Sequence, residues 1–307
     1  MPSVTIAHLS DLHLRDEADA VEFDRQLDCI AAEPVEHLVI SGDLLDRWSP
    51  PLLERALDAL AARRFLDPAR VTIIHGNHDL ASSGGHPREQ RDLLRLALRF
   101  WDPPPLLRHR RRTFYEIIAA RHPGLGRMPP FRKELDGGVT LAAVDSVPFP
   151  WVPFTLGAGG ITLQHARGAI AARDLTWLAE QKSERLAVLI HHYPLDAGAF
   201  SWRYDRWRTG GSSRWLSSLG RLQITVPMDI DEDGRGRFWE AVEQSQAFAV
   251  LCGHVHRARV DYRGTVAVAL NGQSGADWAG RTIAFYRIEG RSVVAEQRQL
   301  SRDVVGS

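Results

Sequence analysis

The chain is poor in several things at once. Among its 307 residues only Cys29 and Cys252 are cysteine, and each lies in an apolar stretch. Two thiols cannot build the disulfide framework of a small secreted scaffold, so both are expected to be buried and reduced. No apolar run approaches the roughly 18 residues that mark a membrane-spanning helix. The N-terminus enters Val4-Thr5-Ile6-Ala7 without the basic and long apolar regions of a secretory leader. These absences predict a soluble, cytoplasmic protein without a transmembrane segment. Net charge is missing too: 38 Lys+Arg face 38 Asp+Glu. That balance excludes a global field drawing the protein to nucleic acid or an acidic membrane and leaves only local patches. Lysine occurs only at Lys133 and Lys182, which codon usage explains as readily as function. Repeats and low-complexity tracts are absent. What remains is a globular composition, 44% hydrophobic and 25% charged, in a chain long enough to bury roughly three quarters of its unfolded surface.

Short β-branched runs recur, each ending in polar chemistry. Val4 to Leu9 precedes Ser10-Asp11-Leu12-His13, and His37 to Ile40 precedes Ser41-Gly42-Asp43. Val71 to Ile74 leads into His75-Gly76-Asn77-His78-Asp79, Ala187 to Ile190 into His191-His192, and Phe248 to Leu251 into Gly253-His254-Val255-His256. Runs of this length predict buried strands. Helical patterns lie between them: Phe23, Leu27, Ile30 and Ala31 in one, and Leu52, Leu53, Ala56, Leu57 and Leu60 after Ser49-Pro50 in another. Strand–helix alternation predicts an α/β sheet, whose ligands gather beyond the carboxyl ends of the strands. Arg259 to Tyr262, Thr265 to Leu270, Thr282 to Ile288 and Val293 to Gln297 predict closing strands. Residues 80–135 and 195–235 break the alternation and read as two insertions in a single domain spanning 1–307.

The strand ends collect Asp11, His13, Asp43, Asn77, His78, His191, His192, His254 and His256. Carboxylate, imidazole and amide oxygen without thiolate suit manganese, iron or zinc rather than a soft-metal cage. There are groups enough for two divalent ions sharing one carboxylate, an arrangement suited to phosphoryl chemistry when the ions stand about 3.5–4 Å apart. Taken singly, an Asp-x-His or a His-His is more often a cap or a satisfied pair; five such pieces, each directly after a strand, outweigh that reading.

Asp11-x-His13, Gly42-Asp43-x-x-Asp46-Arg47, Gly76-Asn77-His78-Asp79, His191-His192 and Gly253-His254-x-His256 together resemble the calcineurin-like metallophosphoesterase family, in the family's order and over residues 11–256. The resemblance implies an α/β fold in which a double β-sheet sandwich is flanked by helices, with a di-metal site at the strand C-terminal ends. It implies that Asp11, His13 and His256 hold one ion, that Asn77, His191 and His254 hold the other, and that Asp43 bridges them. His78 then stands near the leaving group as general acid or charge stabiliser, oriented by Asp46. His191 is favoured as the ligand of its pair, with His192 beside it near the substrate. Arg47 matches a phosphate-binding arginine of the protein-phosphatase branch, but Trp48 stands where that branch has glycine.

Three weaker signals remain. Asp229-x-Asp231-x-Asp233-Gly234 followed by Glu240 fits a calcium-loop pattern. Ile224-Thr225-Val226-Pro227 precedes it where an entering helix belongs, so an acidic turn with Asp233 capping the next helix is favoured. The basic run Arg108 to Arg112 reads as a solvated loop before it reads as a nucleic-acid contact. The segment 202–222, with Trp202, Trp207 and Trp215 among arginines, leaves open a lid, a peripheral membrane contact or packing, and a homo-oligomer is equally open. The expected function is a metal-dependent hydrolase of phosphoesters, a phosphodiesterase acting on a small molecule, in which a hydroxide held by two ions attacks phosphorus. The alternatives are a manganese-dependent DNA exonuclease of the same family and a non-catalytic scaffold on this fold.

Overall fold

Strand β1 (Val4–Leu9) has a hydrophobic residue on both sides, with Val4 and Ile6 turned one way and Ala7 and Leu9 the other. Strand β2 (His37–Ile40) repeats the pattern, with Val39 opposed to Leu38 and Ile40. Parallel strands covered on both faces read as continuous apolar runs for this reason. In the computed structural model, which describes residues 3–84, 102–149, 152, 154–157, 160–164, 166–196, 199–203, 223–271 and 281–300, β1 and β2 run parallel with β3 (Val71–Ile73). The sheet is completed by β14 (Arg281–Glu289) and β15 (Ser292–Leu300), in the order β15-β14-β1-β2-β3.

A second sheet of six strands has the order β12-β13-β11-β8-β5-β4. Its parallel centre is β5 (Thr140–Ala143), β8 (Leu186–Leu189), β11 (Ala249–Cys252) and β13 (Val266–Leu270), edged by antiparallel β4 (Phe131–Glu134) and β12 (Arg259–Arg263). The two sheets face each other through Ile6, Val39, Leu141, Leu189, Leu251 and Tyr286. Helices α1 (Glu17–Ala31), α2 (Pro50–Ala62) and α3 (Pro104–Arg121) cover the outside of the first sheet, contributing Phe23, Leu27, Leu57 and Phe114. Helices α4 (Ala172–Glu180) and α5 (Glu232–Ser245) cover the second through Leu175, Leu178, Phe238 and Trp239. Each such side chain contributes about 1.5–3 kcal/mol by leaving water. The result is helices, sheet, sheet, helices: the double β-sheet sandwich expected. A small third sheet joins β6 (Phe154–Gly157), β7 (Gly160–Leu163), β10 (Gln223–Pro227) and β9 (Ala199–Arg203).

Several expectations change. The basic run Arg108–Arg112 is not a loop; it lies inside α3, which starts within the Pro103-Pro104-Pro105 run, where proline is tolerated in the first turn. Cys29 is exposed on α1, and only Cys252 is buried. The stretch 80–135 is more than an insertion, because its last strand β4 edges the second sheet. Residues 85–101 of the first insertion and the Trp207 and Trp215 part of 202–222 lie outside the described residues. Among the described residues, no helix is long and apolar enough to cross a membrane.

Candidate metal centre

The parallel strands of both sheets deliver their carboxyl ends to one rim of the sandwich. There the chain turns sharply: Asp11, His13, Asp43, His254 and His256 all take positive φ, between 47° and 72°. Left-handed backbone at non-glycine residues costs of order 1–3 kcal/mol each and persists where the surroundings over-determine it. Backbone bonds between neighbouring turns supply that constraint. Asp11 N–H donates to Gly42 O at 3.1 Å, His13 N–H to Asp43 O at 3.0 Å, and Gly253 N–H to His191 O at 2.9 Å. The Asp11 carboxylate accepts from His254 N–H at 2.9 Å, and Asp43 Oδ1 from His78 N–H at 2.7 Å.

Three groups of side chains converge closely enough to hold an ion: Asp11, His13 and His256; His13, Asp43 and His78; and Asp43, His191 and His254. In the first group, His13 Nε2 and His256 Nε2 face each other at 3.1 Å, with Asp11 Oδ1 3.4 Å from the latter. In the last, His191 Nε2 lies 3.3 Å from Asp43 Oδ2 and 3.1 Å from Asn77 Oδ1. Asp43 is common to both sides, its Oδ2 also 3.9 Å from His13 Nε2.

Second nitrogens are fixed as metal-bound imidazoles require. His191 Nδ1 meets Ser41 O at 3.0 Å, leaving Nε2 for the site, while His254 Nε2 meets Ala166 O at 2.8 Å, leaving Nδ1. His192 makes no ion pair with Asp43, whereas His191 does. The His192 Nδ1 meets Ser146 Oγ at 3.0 Å, and its ring lies tilted against that of His254, with centroids 4.3 Å apart. Of the pair, His191 is therefore the residue brought to the carboxylates.

Asp46 sits differently from expectation. His78 Nδ1 is held at 2.9 Å by the Asp46 carbonyl oxygen, whereas the Asp46 carboxylate stands 3.9 Å from that nitrogen and 3.6 Å from His13 Nδ1. It is the backbone of Asp46 that orients His78. Arg47 is exposed and makes no ion pair with a described residue, while Trp48 packs against the helices of the first sheet.

The electrostatics favour cations. Burial alone would raise the Asp43 carboxyl, but the charges of His191, His78 and His13 overcome it and hold it well below the usual range. Burial opposes protonation of His191, yet Asp43 pushes its imidazole up to about 9. A proton and a metal ion compete for the same lone pair, so a field that retains a proton on His191 also attracts a metal. His254, farther from Asp43, is instead lowered to about 3 by burial and by His191. The donor set fits two divalent ions on one further observation: Asp43 Oδ2 is buried among the converging side chains and makes no well-aligned hydrogen bond, its neighbours being His191 Nε2 at 3.3 Å and His13 Nε2 at 3.9 Å. A buried carboxylate oxygen is ordinarily satisfied, and a shared cation satisfies it.

Sequence reasoning missed a sixth strand end. Strand β5 runs through Val144 into Asp145-Ser146, where Ser146 Oγ accepts from His192 N–H at 3.0 Å and Asp145 approaches His75 Nε2 at 3.4 Å. The polar pair after an apolar run was the available signal, hidden because Thr-Leu-Ala-Ala carries little β-branched bias. The calcium loop does not form. Helix α5 begins at Glu232, directly after Asp231, and Asp229 is paired with Arg235 at 2.7 Å. At about 1.5 Å rise per residue, Glu240 is carried two turns along the helix and cannot close on the same ion as Asp231.

The profile of the calcineurin-like phosphoesterase family matches residues 4–258. A dimetal phosphatase from Danio rerio is similar in structure at 11% identity, with a TM-score of 0.53, 97% of this chain and 99% of that one being covered. The phosphopantetheinyl hydrolase of Mycobacterium tuberculosis aligns at 13% identity and TM-score 0.41 over 99% of this chain and 98% of its own. An archaeal phosphodiesterase aligns at 11% identity and TM-score 0.41 over 97% and 100%. No curated protein matches the sequence.

Proposed function

The chain belongs to the calcineurin-like phosphoesterase family, a family of dimetal hydrolases, and on that premise we propose that it is a phosphodiesterase acting on a small molecule. The observation that carries the reading is the buried Asp43 Oδ2, without a well-aligned hydrogen bond, between imidazoles on either side. Asp11, His13 and His256 would hold one ion, Asn77, His191 and His254 the other, and Asp43 both. Two such ions supply Lewis acidity and a water acidic enough to attack phosphorus at neutral pH; manganese, iron or zinc fits these ligands.

The protein's own part falls to His78. With Nδ1 held by the Asp46 carbonyl, the partly buried ring has Nε2 as its remaining nitrogen. That nitrogen would donate a proton to the departing alkoxide, a contribution of about 10²–10⁴-fold. His192, braced by Ser146, backs His254 and stays neutral, its imidazole kept well below the ordinary value by burial and by His254. The motif set supports a diester over a monoester. Arg47, the candidate clamp for a dianionic phosphate, is exposed with no described side chain to fix it over the site. Against the exonuclease, three of the four arginines in the basic run of α3 have carboxylate partners: Arg110 with Asp102, Arg111 with Asp145, and Arg112 with Glu116.

A comparison of bis-p-nitrophenyl phosphate with p-nitrophenyl phosphate, run with manganese, zinc and iron and followed by cyclic nucleotides and DNA, tests this. The diester should be cleaved faster, DNA should be spared, and His78→Ala should retain two manganese ions while losing about a hundredfold or more in turnover. Monoester preference would overturn the diester assignment; degradation of DNA would favour the exonuclease. Undiminished turnover by His78→Ala would remove the histidine from the mechanism.

A further inference from the structure

We propose that helix α3 is a positioning element for the turn His75-Gly76-Asn77-His78, and that it grips this turn from both sides through Tyr115 and Arg110. The inference rests on the functional reading above in taking Asn77 for a metal ligand. On the near side, the Tyr115 hydroxyl accepts from His75 N–H at 3.3 Å and lies 2.9 Å from His75 Nδ1. On the other edge of the ring, His75 Nε2 stands 3.4 Å from Asp145 Oδ1. The other Asp145 oxygen accepts from Arg111 at 2.5 Å, so α3 holds His75 a second time through that carboxylate.

On the far side, Arg110 donates to Leu80 O at 2.8 Å and to Ser82 Oγ at 2.8 Å. Asp102, at the foot of the helix, anchors the arginine at 3.3 Å and accepts from Ser82 N–H at 2.7 Å. Residues 75 and 80 thus have one rigid body between them, and Asn77 and His78 sit in the span. Arg110, Arg111, Phe114, Tyr115 and Ile118 fall on neighbouring turns of a single helix, so a helical face carries all the contacts. Within the turn, Asp79 closes the loop by accepting from Gly76 N–H and Leu45 N–H, both at 2.8 Å. Its geometry is therefore set from inside by Asp79 and from outside by α3.

Groups that orient metal ligands change metal affinity by about 10–100-fold when removed. The grip acts on the side of the centre that Asn77 serves, while Asp11, His13 and His256 come from other strands. Calorimetric manganese titration of the full-length protein, with urea unfolding in parallel, reads this asymmetry. Tyr115→Phe keeps the ring in the core and removes only the hydroxyl. It should weaken one of two manganese binding events about tenfold and leave the other unchanged. Ile118→Val on the same helical face should lower the urea midpoint with both affinities intact. Should Tyr115→Phe fail to fold, Arg110→Gln is the second variant, with the same one-sided loss expected. Equal weakening of both events, or none, overturns the proposal. Because the readout is binding, a wild type that takes up two ions yet cleaves no diester sinks the functional reading alone; one that binds fewer than two sinks both.

Discussion

Gly76 has no room for a side chain. A Cβ there would stand 2.2 Å from Asp43 Oδ1 and 2.7 Å from His191 Cε1, which puts the turn's backbone directly against the Asp43 carboxylate and the His191 ring. Gly42 is constrained twice, by φ of +110° and by His191 Nδ1 2.6 Å from a would-be Cβ. These glycines let Asp43, Asn77 and His191 share one small volume. Gly76→Ala should cost about 1–3 kcal/mol by overpacking and weaken manganese binding by about tenfold or more. Urea unfolding and metal titration check both, and normal affinity in this variant would show that the turn does not crowd the ions. The sequence showed the identities of these residues plainly. It did not show that the main chain rather than the carboxylate of Asp46 would hold His78, because which oxygen lies nearer is settled by how two loops pack.

At the scale of elements, acidic and basic runs proved to be helix ends and helix faces rather than ion sites. Asp231, not Asp233, caps α5: its carboxylate accepts from Gly234 N–H at 2.9 Å, with Glu232 and Asp233 in the first turn where the helix dipole favours negative charge. Asp231→Ala should therefore lower stability by about 1 kcal/mol, and millimolar calcium should leave the melting temperature of both proteins unchanged. A calcium-dependent rise in the wild type that vanishes in the variant would restore the loop. Helix α3 teaches the same lesson. Its five-residue basic run at 108–112 looks like a patch on paper, yet Arg110 and Arg111 turn inward to Asp102 and Asp145, carboxylates the helix meets only in the fold. Charge in sequence does not reveal its counter-charge when the partner lies 34 residues away, as Asp145 does from Arg111.

At the scale of the whole molecule, the two sheets are fastened at the end opposite the metal rim. Lys133 on β4, the edge of the second sheet, donates to Val71 O and to Thr72 Oγ1 on β3, the edge of the first. Thr72 Oγ1 also meets His37 Nε2 at 2.8 Å, and His37 Nδ1 meets Ala69 O at 2.9 Å. Burial, with the charge of Lys133 adding to it, lowers the His37 pKa from 6.5 to about 3. The folded protein therefore refuses a proton that the unfolded chain accepts below pH 6.5. Stability from this group is complete above that pH and is lost as pH falls toward 3, at up to about 1.4 kcal/mol per pH unit. His37→Gln should flatten the acid side of the stability curve by that slope between pH 6.5 and 5, as read by urea unfolding. Parallel curves for the two proteins would mean that His37 takes up its proton without unfolding.

Read from sequence alone, this protein declares which donor atoms it owns and that each follows a strand, since a short apolar run ending in Asp, Asn or His is a local pattern. That sufficed for the parallel strands, their carboxyl-end rim and the class of ion they suit. Tertiary structure alone decided which histidine of the 191–192 pair faces Asp43, and which nitrogen of each ring is left to bind. The groups that hold those rings are backbone carbonyls, Ser41 for His191 and Ala166 for His254, at separations of 150 and 88 residues. Every residue has a carbonyl, so no side-chain pattern marks these two; only the packing of one turn against another selects them.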